Sequence, residues 1–383
     1  MLCLSKTAFE ISVKPHFVKM LESPITPSEA KLPTASPGLS GSTPHESTAK
    51  YSNMADSKVP EREAFTVDEL VRHRASLKSS QPVISYPRSG IEYVDYPLCQ
   101  LDFYAFRVAK ALQDRIPPRT SSSETPAVIA LLGPSDLNYL VTLLALSKLG
   151  HTVLFLSTRI SHEAYASLLE KTHSNHIFIH DSFNDTAAEL RERLPGLQVS
   201  EIPTRALYDS PISEDENENI DTNLTPGLDL VKESKYLAFI IHSSGSTGLP
   251  KPIFQTQGAA IRNYAGNMNM SGFITLPLYH NHGISCLFRT VHSCKTLHLY
   301  NADLPLTKQY LLDIMRNHKF EIFYGVPYAL KLLAESDDGI SVLAELKAVM
   351  FGGSACPDSL GDRLVNNGVN LISHYGTYVS LTI

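Results

Sequence analysis

From Ala127 onward, short apolar runs alternate with longer segments whose apolar residues recur at helical spacing. The runs AVIALLG, TVLFLS and HIFIH are followed respectively by SDLNYLVTLLALSKLG, SHEAYASLLEKT and NDTAAELRERL. Parallel strands need a helix-length connection between them, and strands buried on both faces form continuous apolar runs. The alternation therefore predicts an α/β fold with parallel-rich sheets flanked by helices, in which Gly150 ends the first helix.

An acidic, Asn-rich segment at about 209–232, which contains DSPISEDENENIDTNLTPG, interrupts this alternation. Its charged and turn-forming residues favour a solvated connection over a strand or helix. The alternation then resumes with YLAFIIHSS and continues to VNLISHYG. We therefore predict two α/β lobes with the acidic segment as a surface linker between them.

Composition and charge argue against several classes of binding partner for this protein. The formal net charge of -6 provides no basic surface for nucleic acid, and no apolar run reaches the ~20 residues that span a bilayer. The five cysteines form no CxxC pair, which argues against a zinc site and favours a reducing, cytoplasmic compartment. From Ser23 to about Asp56 the chain is rich in Ser, Pro, Thr and Lys, so we expect a disordered leader over 1–62.

The clearest chemical signal is the loop HSSGSTGLPKP, which follows the apolar run YLAFII directly. Six consecutive small residues allow a tight backbone that points N–H and O–H donors into one concavity: Ser243, Ser244, Gly245, Ser246, Thr247 and Gly248. Lys251 adds a mobile positive charge that strengthens anion binding. A flexible Gly/Ser linker would rarely follow a buried strand so directly, so the pattern predicts a phosphate site.

This loop differs from the P-loop of nucleotide hydrolases. Pro250 occupies the position of the second glycine in G-x4-GK-[ST], and Pro252 occupies the position of the Ser or Thr. Pro252 also prevents Lys251 from entering a helix as the P-loop lysine does. A P-loop hydrolase is therefore the poorest of the phosphate-binding alternatives.

The stretch SSGSTGLPKP resembles the phosphate loop of the acyl-adenylate-forming, or AMP-binding, superfamily of acyl-CoA ligases, aryl-CoA ligases and nonribosomal peptide synthetase adenylation domains. LPLYHNHG is similar to the family's Pro-x-x-His segment, which implies that His280 lines the carboxylate end of a substrate pocket. Taken alone, His280 and His282 are equally compatible with surface imidazoles. The match in order and spacing favours the family role.

FGGSACPDSL followed by ISHYG resembles the family's adenine-binding region. The resemblance implies that Gly352, Gly353 and Ser354 contact the base and that Tyr375 stacks on it. It also implies nucleotide contacts from the neighbouring residues Ser373, His374, Gly376 and Thr377. Taken alone, FGGSA is equally compatible with an ordinary strand end.

The stretch LLGPSDLNYLVTLLALSKLGHTVLFLSTRIS is similar to fungal nonribosomal-peptide-synthetase-like proteins, many of them carboxylate reductases with adenylation, carrier and reductase domains. The resemblance covers roughly 65–377 and implies an adenylation domain over 63–377. It implies that ATP and Mg²⁺ activate a small carboxylic acid as an acyl-adenylate, with the loop cradling the phosphates and Lys251 acting as the catalytic cation. A phosphopantetheine or CoA thiol would then accept the acyl group.

The chain departs from the family after Tyr375 and Gly376. There the family has x-Thr-Glu, whereas this chain has Thr377, Tyr378 and Val379. Valine has no oxygen to offer Mg²⁺, so no metal ligand is predicted. We expect a C-terminally truncated domain in which 378–383 is an aberrant tail and the ribose-binding Asp, the lysine-bearing lobe and a carrier domain are missing. The alternative hypothesis is a non-catalytic nucleotide-binding remnant or an interaction protein.

Overall fold

Two parallel-rich sheets organise the fold in the computed structural model, which describes residues 64–77, 81–210, 221–243 and 248–374. The predicted leader at 1–62 and the predicted tail at 378–383 lie outside the described residues. In chain order the strands are β1 (Pro82–Pro87), β2 (Tyr93–Pro97), β3 (Val128–Leu132), β4 (Thr152–Leu156), β5 (His176–Ile179), β6 (Gln198–Glu201), β7 (Leu237–Ser243), β8 (Lys251–Thr256), β9 (Gly272–Ile274), β10 (Leu297–Leu299), β11 (Ile322–Gly325), β12 (Ala348–Phe351) and β13 (Leu371–Ser373).

Helices connect most of these strands, and several begin at a residue whose side chain caps a backbone N–H, as Asp136 and Ser161 do. Gly150 has a left-handed φ of 82° just beyond the first predicted helix, as expected for a helix end. In chain order the helices are α1 (Val67–Leu77), α2 (Leu98–Leu112), α3 (Leu137–Lys148), α4 (His162–Lys171), α5 (Asn184–Arg193), α6 (Arg205–Tyr208), α7 (Leu230–Glu233), α8 (Gln257–Ala265), α9 (Asn281–Ser293), α10 (Lys308–Asn317), α11 (Pro327–Ala334), α12 (Asp337–Ala344) and α13 (Asp358–Asn366).

Sheet A has the strand order β13-β12-β11-β9-β10-β1-β2, and sheet B has the order β6-β5-β3-β4-β7-β8. All neighbouring strands are parallel except the β1–β2 and β7–β8 pairs, which are antiparallel. Strands β4 and β5 are buried along their whole length, as expected for strands covered on both faces. The predicted α/β class with parallel-rich sheets flanked by helices is confirmed.

The acidic segment does not connect the two sheets to each other. The segment at 209–232 connects β6 to β7, and both strands belong to sheet B. The chain passes between the sheets elsewhere, because β1 and β2 precede sheet B in the chain yet belong to sheet A. Composition identifies a polar connection, but strand pairing depends on contacts far apart in sequence, which local composition does not encode.

Buried apolar residues form three layers around the two sheets. The central layer packs side chains of both sheets, such as Ile84 and Phe239, against helices α2, α3, α8 and α9. A second layer packs α10 to α13 on the opposite face of sheet A, and a third packs α4 and α5 on the opposite face of sheet B. Among the described residues, no helix is long and apolar enough to cross a membrane.

A charged group is held inside the central layer. Nζ of Lys148 donates to Oδ1 of Asp102 at 2.6 Å and to Oδ1 of Asp68 at 3.0 Å, and the lysine side chain is only 1% exposed. The remaining carboxylate oxygens accept from Arg72 Nε at 2.8 Å and from Thr222 Oγ1 at 2.6 Å. Burial of these charges is tolerated because every carboxylate oxygen has a donor.

Replacing Lys148 tests this network. Lys148→Met leaves the buried Asp102 without a cation and leaves Asp68 with Arg72 alone, so we expect the free energy of unfolding to fall by about 3–5 kcal/mol. Urea denaturation measures the change. The matched control is Lys232→Met, whose side chain is 67% exposed, and we expect it to change stability by less than about 1 kcal/mol. Equal losses in the two variants would contradict the account.

Candidate functional site

The carboxyl-terminal edges of the two sheets meet at the segment 275–282, which follows β9. The backbone N–H of Leu278 donates to Oγ of Ser135, which follows β3, at 2.8 Å. The hydroxyl of Tyr279 bonds to Oγ1 of Thr158, which follows β4, at 2.9 Å. Ligands of parallel α/β sheets bind at the carboxyl ends of the strands, so this edge is the candidate site.

A tight turn at 277–283 positions the start of α9 at this edge. The N–H of His280 donates to the carbonyl of Pro277 at 3.2 Å, and the N–H of Ile284 donates to the carbonyl of His280 at 3.0 Å. A Cβ on Gly283 would lie 2.1 Å from the carbonyl oxygen of Pro277, far inside contact distance. Only glycine lets the first turn of α9 approach the turn so closely.

His280 precedes α9 directly and is exposed at this edge, where a ligand can reach it. Desolvation by the surrounding protein, followed by the charge of Arg159, lowers the pKa of His280. Desolvation, followed by the charge of His280, lowers the pKa of His242 at the end of β7 to about 4. Nε2 of His242 accepts from the N–H of Ser157 at 3.1 Å. Both imidazoles are therefore neutral at physiological pH and act as hydrogen-bonding groups rather than cations.

The Ser-Gly-Thr stretch lies in the chain between two antiparallel strands, whose paired ends are at the same edge. Strands β7 and β8 are antiparallel, with Ser243 paired to Lys251, so the loop spans the residues between this pair. Lys251 is exposed as the first residue of β8, a strand that the sequence analysis did not predict. Gly248 has a φ of 122°, a conformation that favours glycine. The predicted residues Ser244, Gly245, Ser246 and Thr247 lie outside the described residues.

The two glycines of FGGSA follow β12 and approach the end of β13. The N–H of His374 donates to the carbonyl of Phe351 at 2.7 Å. A Cβ on Gly352 would lie 2.9 Å from the carbonyl oxygen of His374 and 3.0 Å from Nδ1 of His282. Gly353 has a left-handed φ of 84°. The strand ends can approach His282 this closely because position 352 has no side chain.

The structure therefore brings five predicted residues together where β12 and β13 end: Gly352, Gly353, Ser354, Ser373 and His374. Gly353, Ser354 and Ser373 are exposed, so they are open to a ligand at this edge. The other predicted residues of this region, Tyr375, Gly376 and Thr377, lie outside the described residues.

His282 has a more constrained environment than the sequence suggests. Its ring lies 4.5 Å from the ring of His374 and 6.2 Å from the ring of Tyr324, measured between centroids. Desolvation, followed by the charges of His374 and Arg289, lowers the pKa of His282 to about 3. Its Nε2 is buried and has no hydrogen-bond partner within the described part of the chain. The surface-imidazole alternative is therefore wrong for His282. In the sequence, only the presence of two histidines in LPLYHNHG pointed to a role for this residue.

The family of AMP-binding enzymes matches residues 99–377. This range covers well over half of the 383-residue chain. The chain belongs to the AMP-binding enzyme family.

Its relatives include fungal adenylate-forming enzymes, which confirms the predicted resemblance. An adenylate-forming reductase of Heterobasidion annosum is 28% identical over 285 residues, covering 69% of this chain and 25% of the reductase. A carboxylic acid reductase of Neurospora crassa is 28% identical over 326 residues, covering 79% of this chain and 30% of the reductase. The chain thus spans less than a third of the length of these two relatives.

Solved structures show the same fold at low identity. A luciferase-like enzyme of the mealworm Zophobas morio has a TM-score of 0.67 and 17% identity over 83% of this chain and 73% of that enzyme. An o-succinylbenzoate coenzyme A synthetase of Bacillus subtilis, in complex with AMP, has a TM-score of 0.61 and 20% identity over 80% of this chain and 73% of that enzyme.

The described residues of this AMP-binding domain supply no evident metal centre. Within 64–77, 81–210, 221–243 and 248–374, no group of three or more His, Cys, Asp or Glu residues is placed to hold a metal ion. Mg²⁺ commonly binds through one or two carboxylates together with substrate phosphates and water.

A cavity of about 90 Å³ lies at the opposite edge of sheet B, before β3, β4 and β7. A cavity of this size has room for several water molecules. Its lining charges are already paired, because Asp68 binds Lys148 and Arg72 while Glu233 binds Arg119. The carboxyl edge has exposed polar groups and an imidazole nitrogen without a partner among the described residues, so it is the better candidate for the nucleotide site.

The close approach of Gly283 to Pro277 can be tested by adding one methyl group. Gly283→Ala forces two backbone segments apart, so we expect it to lower the free energy of unfolding by about 1–3 kcal/mol. The control is Gly361→Ala in α13, where a Cβ meets open space and helix propensity predicts a gain of roughly 0.5–1 kcal/mol. Chemical denaturation of both variants gives the comparison, and an unchanged Gly283→Ala protein would refute the constraint.

Proposed function

We propose that this chain is an adenylation domain that activates a small carboxylic acid with ATP to form an acyl-adenylate. The proposal rests on one observation: three sequence motifs lie at the same edge of the fold. The hairpin loop after β7, His280 before α9 and the glycines after β12 all lie at the carboxyl ends of parallel strands. Membership of the AMP-binding family supports ATP as the nucleotide.

The loop and Lys251 are assigned to the phosphates. Ser243 and Lys251 face each other at the base of the hairpin, so the lysine charge is available beside the loop. Backbone N–H groups and hydroxyls from 243 to 248 would cradle the phosphates. The acid's carboxylate oxygen attacks the α-phosphorus, an O–P bond forms, and the bond to pyrophosphate breaks. Such a step depends on positioning and charge neutralisation, which a donor-rich loop and a cation provide.

The acid and the adenine are assigned to the other two motifs. His280 is exposed and neutral, so it can donate a hydrogen bond to the reacting carboxylate without forming a competing ion pair. Gly352, Gly353 and Ser354 would offer backbone and hydroxyl groups to the base, and Tyr375 would stack on it. Ser373 and His374 lie beside these glycines, and Gly376 and Thr377 complete the proposed nucleotide contacts.

Mg²⁺ and a thiol acceptor complete the proposal. Mg²⁺ would neutralise phosphate charge, and a phosphopantetheine thiol of a carrier domain or the thiol of CoA would accept the acyl group. An L-proline–[L-prolyl-carrier protein] ligase of Pseudomonas fluorescens, 27% identical over 45% of this chain and 36% of the ligase, supports a carrier protein as partner. We propose a cytoplasmic site of action, which the absence of CxxC pairs in the sequence supports.

A second candidate is a nucleotide-binding protein without adenylation activity that acts by binding a partner. Val379 favours it, because the family has a Mg²⁺-binding Glu at that position. ATP–pyrophosphate exchange with a panel of aryl, amino and keto acids separates the two functions. Acid-dependent exchange would establish adenylation, whereas ATP binding without exchange would support the second candidate.

Lys251 provides a direct test of the phosphate assignment. Lys251→Ala removes one charge-assisted contact of about 1.5–3 kcal/mol, so we expect ATP to bind about 10- to 100-fold more weakly. Calorimetric titration with ATP and Mg²⁺ measures the affinity. Lys232→Ala removes the same charge from an exposed position on α7 and should leave the affinity unchanged. An unaltered affinity in Lys251→Ala would exclude the loop from the nucleotide site.

A further inference from the structure

Three side chains on α9 lie on the helix face that is directed toward Tyr324 of β11. His282, Cys286 and Arg289 are spaced four and three residues apart, which places them on one side of a helix. The His282 ring lies 6.2 Å from the Tyr324 ring. Cys286 is buried and lies between the other two along the helix, so it is flanked by an imidazole on one side and a guanidinium on the other.

The imidazole of His282 carries an unsatisfied hydrogen-bonding atom. Nε2 is buried and has no partner among the described residues, and the ring is packed against His374. A neutral imidazole with its proton on Nε2 donates one hydrogen bond. Leaving such a donor buried and unpaired costs free energy, which an acceptor oxygen from a ligand would recover.

The guanidinium of Arg289 is also available for a ligand. Its Nε donates to the backbone carbonyl of Asn263 at 3.3 Å. In the described ranges it forms no ion pair with a carboxylate, in contrast to Arg119, which binds Glu233, and Arg316, which binds Asp338. Burial raises the pKa values of both Cys286 and Tyr324, and the positive charge of Arg289 opposes that rise in each, so the guanidinium lies near both side chains.

We propose that His282 and Arg289 select acids that carry a second carboxylate remote from the reacting one. This inference rests on the proposed function, in which the reacting carboxylate lies at His280. Arg289 lies two helical turns beyond His282, roughly 10 Å along the axis, and side chains of a helix generally lean toward its start, which shortens the gap that a ligand must bridge. The remote carboxylate accepts two N–H bonds from Arg289, since a guanidinium matches a carboxylate bidentately, and one from His282.

The test compares matched acids on the full chain. Calorimetric titrations in the presence of AMP measure binding of octanoate against suberate and of 4-methylbenzoate against terephthalate, which differ by one carboxylate. We expect the diacid of at least one pair to bind wild type at least tenfold more tightly than its monoacid. Arg289→Gln should reduce this preference to less than twofold, and Arg289→Lys should retain a part of it because the charge remains.

His282→Phe keeps an aromatic ring and removes the donor, so we expect it to weaken diacid binding while monoacid binding stays within twofold of wild type. The control is Arg262→Gln on α8, which removes an exposed arginine and should leave the preference intact. Equal binding of monoacid and diacid to wild type, or absence of acid binding, would overturn the inference. A preference that survives Arg289→Gln would overturn the role of Arg289.

ATP titration of the same preparations separates this inference from the proposed function. If ATP binds and Lys251→Ala weakens it, but no diacid is preferred, the nucleotide assignment stands and the pocket assignment fails. If neither ATP nor any acid binds, both fail. Circular dichroism melts of each variant identify loss of binding that arises from loss of folding.

Discussion

The backbone contact between Gly283 and Pro277 holds the start of α9 against the turn that follows β9. This turn also binds Ser135 and Thr158, so it ties the carboxyl edge of sheet A to that of sheet B. The hairpin loop belongs to sheet B, whereas His280 and the glycines after β12 follow two different strands of sheet A. They can serve one ligand only because this connection holds the two edges together.

Polar groups at the amino edge of sheet B differ in their hydrogen bonding from those at the carboxyl edges of the sheets. At the amino edge, Lys148 and Asp102 are buried with their bonds complete, which is how a folded interior accommodates charge. At the carboxyl edges where α9 begins, His280 is exposed and His282 has a nitrogen without a partner among the described residues. Further along α9, Arg289 has no carboxylate partner in the described part of the chain. Satisfied groups stabilise the fold, whereas unsatisfied groups at a strand edge are available to a ligand.

Much of the fold could be predicted from local pattern, because strands buried on both faces are continuous apolar runs such as those of β4 and β5. The loop at 243–248 was recognisable because a run of Ser, Gly and Thr directly after a buried strand is rarely a plain linker. The pairing of strands could not be predicted from local pattern, because the assignment of β7 to sheet B and of β1 to sheet A depends on contacts between residues far apart in sequence. The environment of His282 was hidden for the same reason, since His374 and Gly352, which surround it, lie far along the chain.

Hydrogen–deuterium exchange with and without ATP and Mg²⁺ tests most directly whether the nucleotide binds at the carboxyl edge. We expect ATP to slow exchange at 242–256, 275–284 and 350–374, which contain the three motifs, and to leave 222–237 near the opposite cavity unchanged. Slowed exchange confined to 222–237, or no change at saturating ATP, would contradict the account.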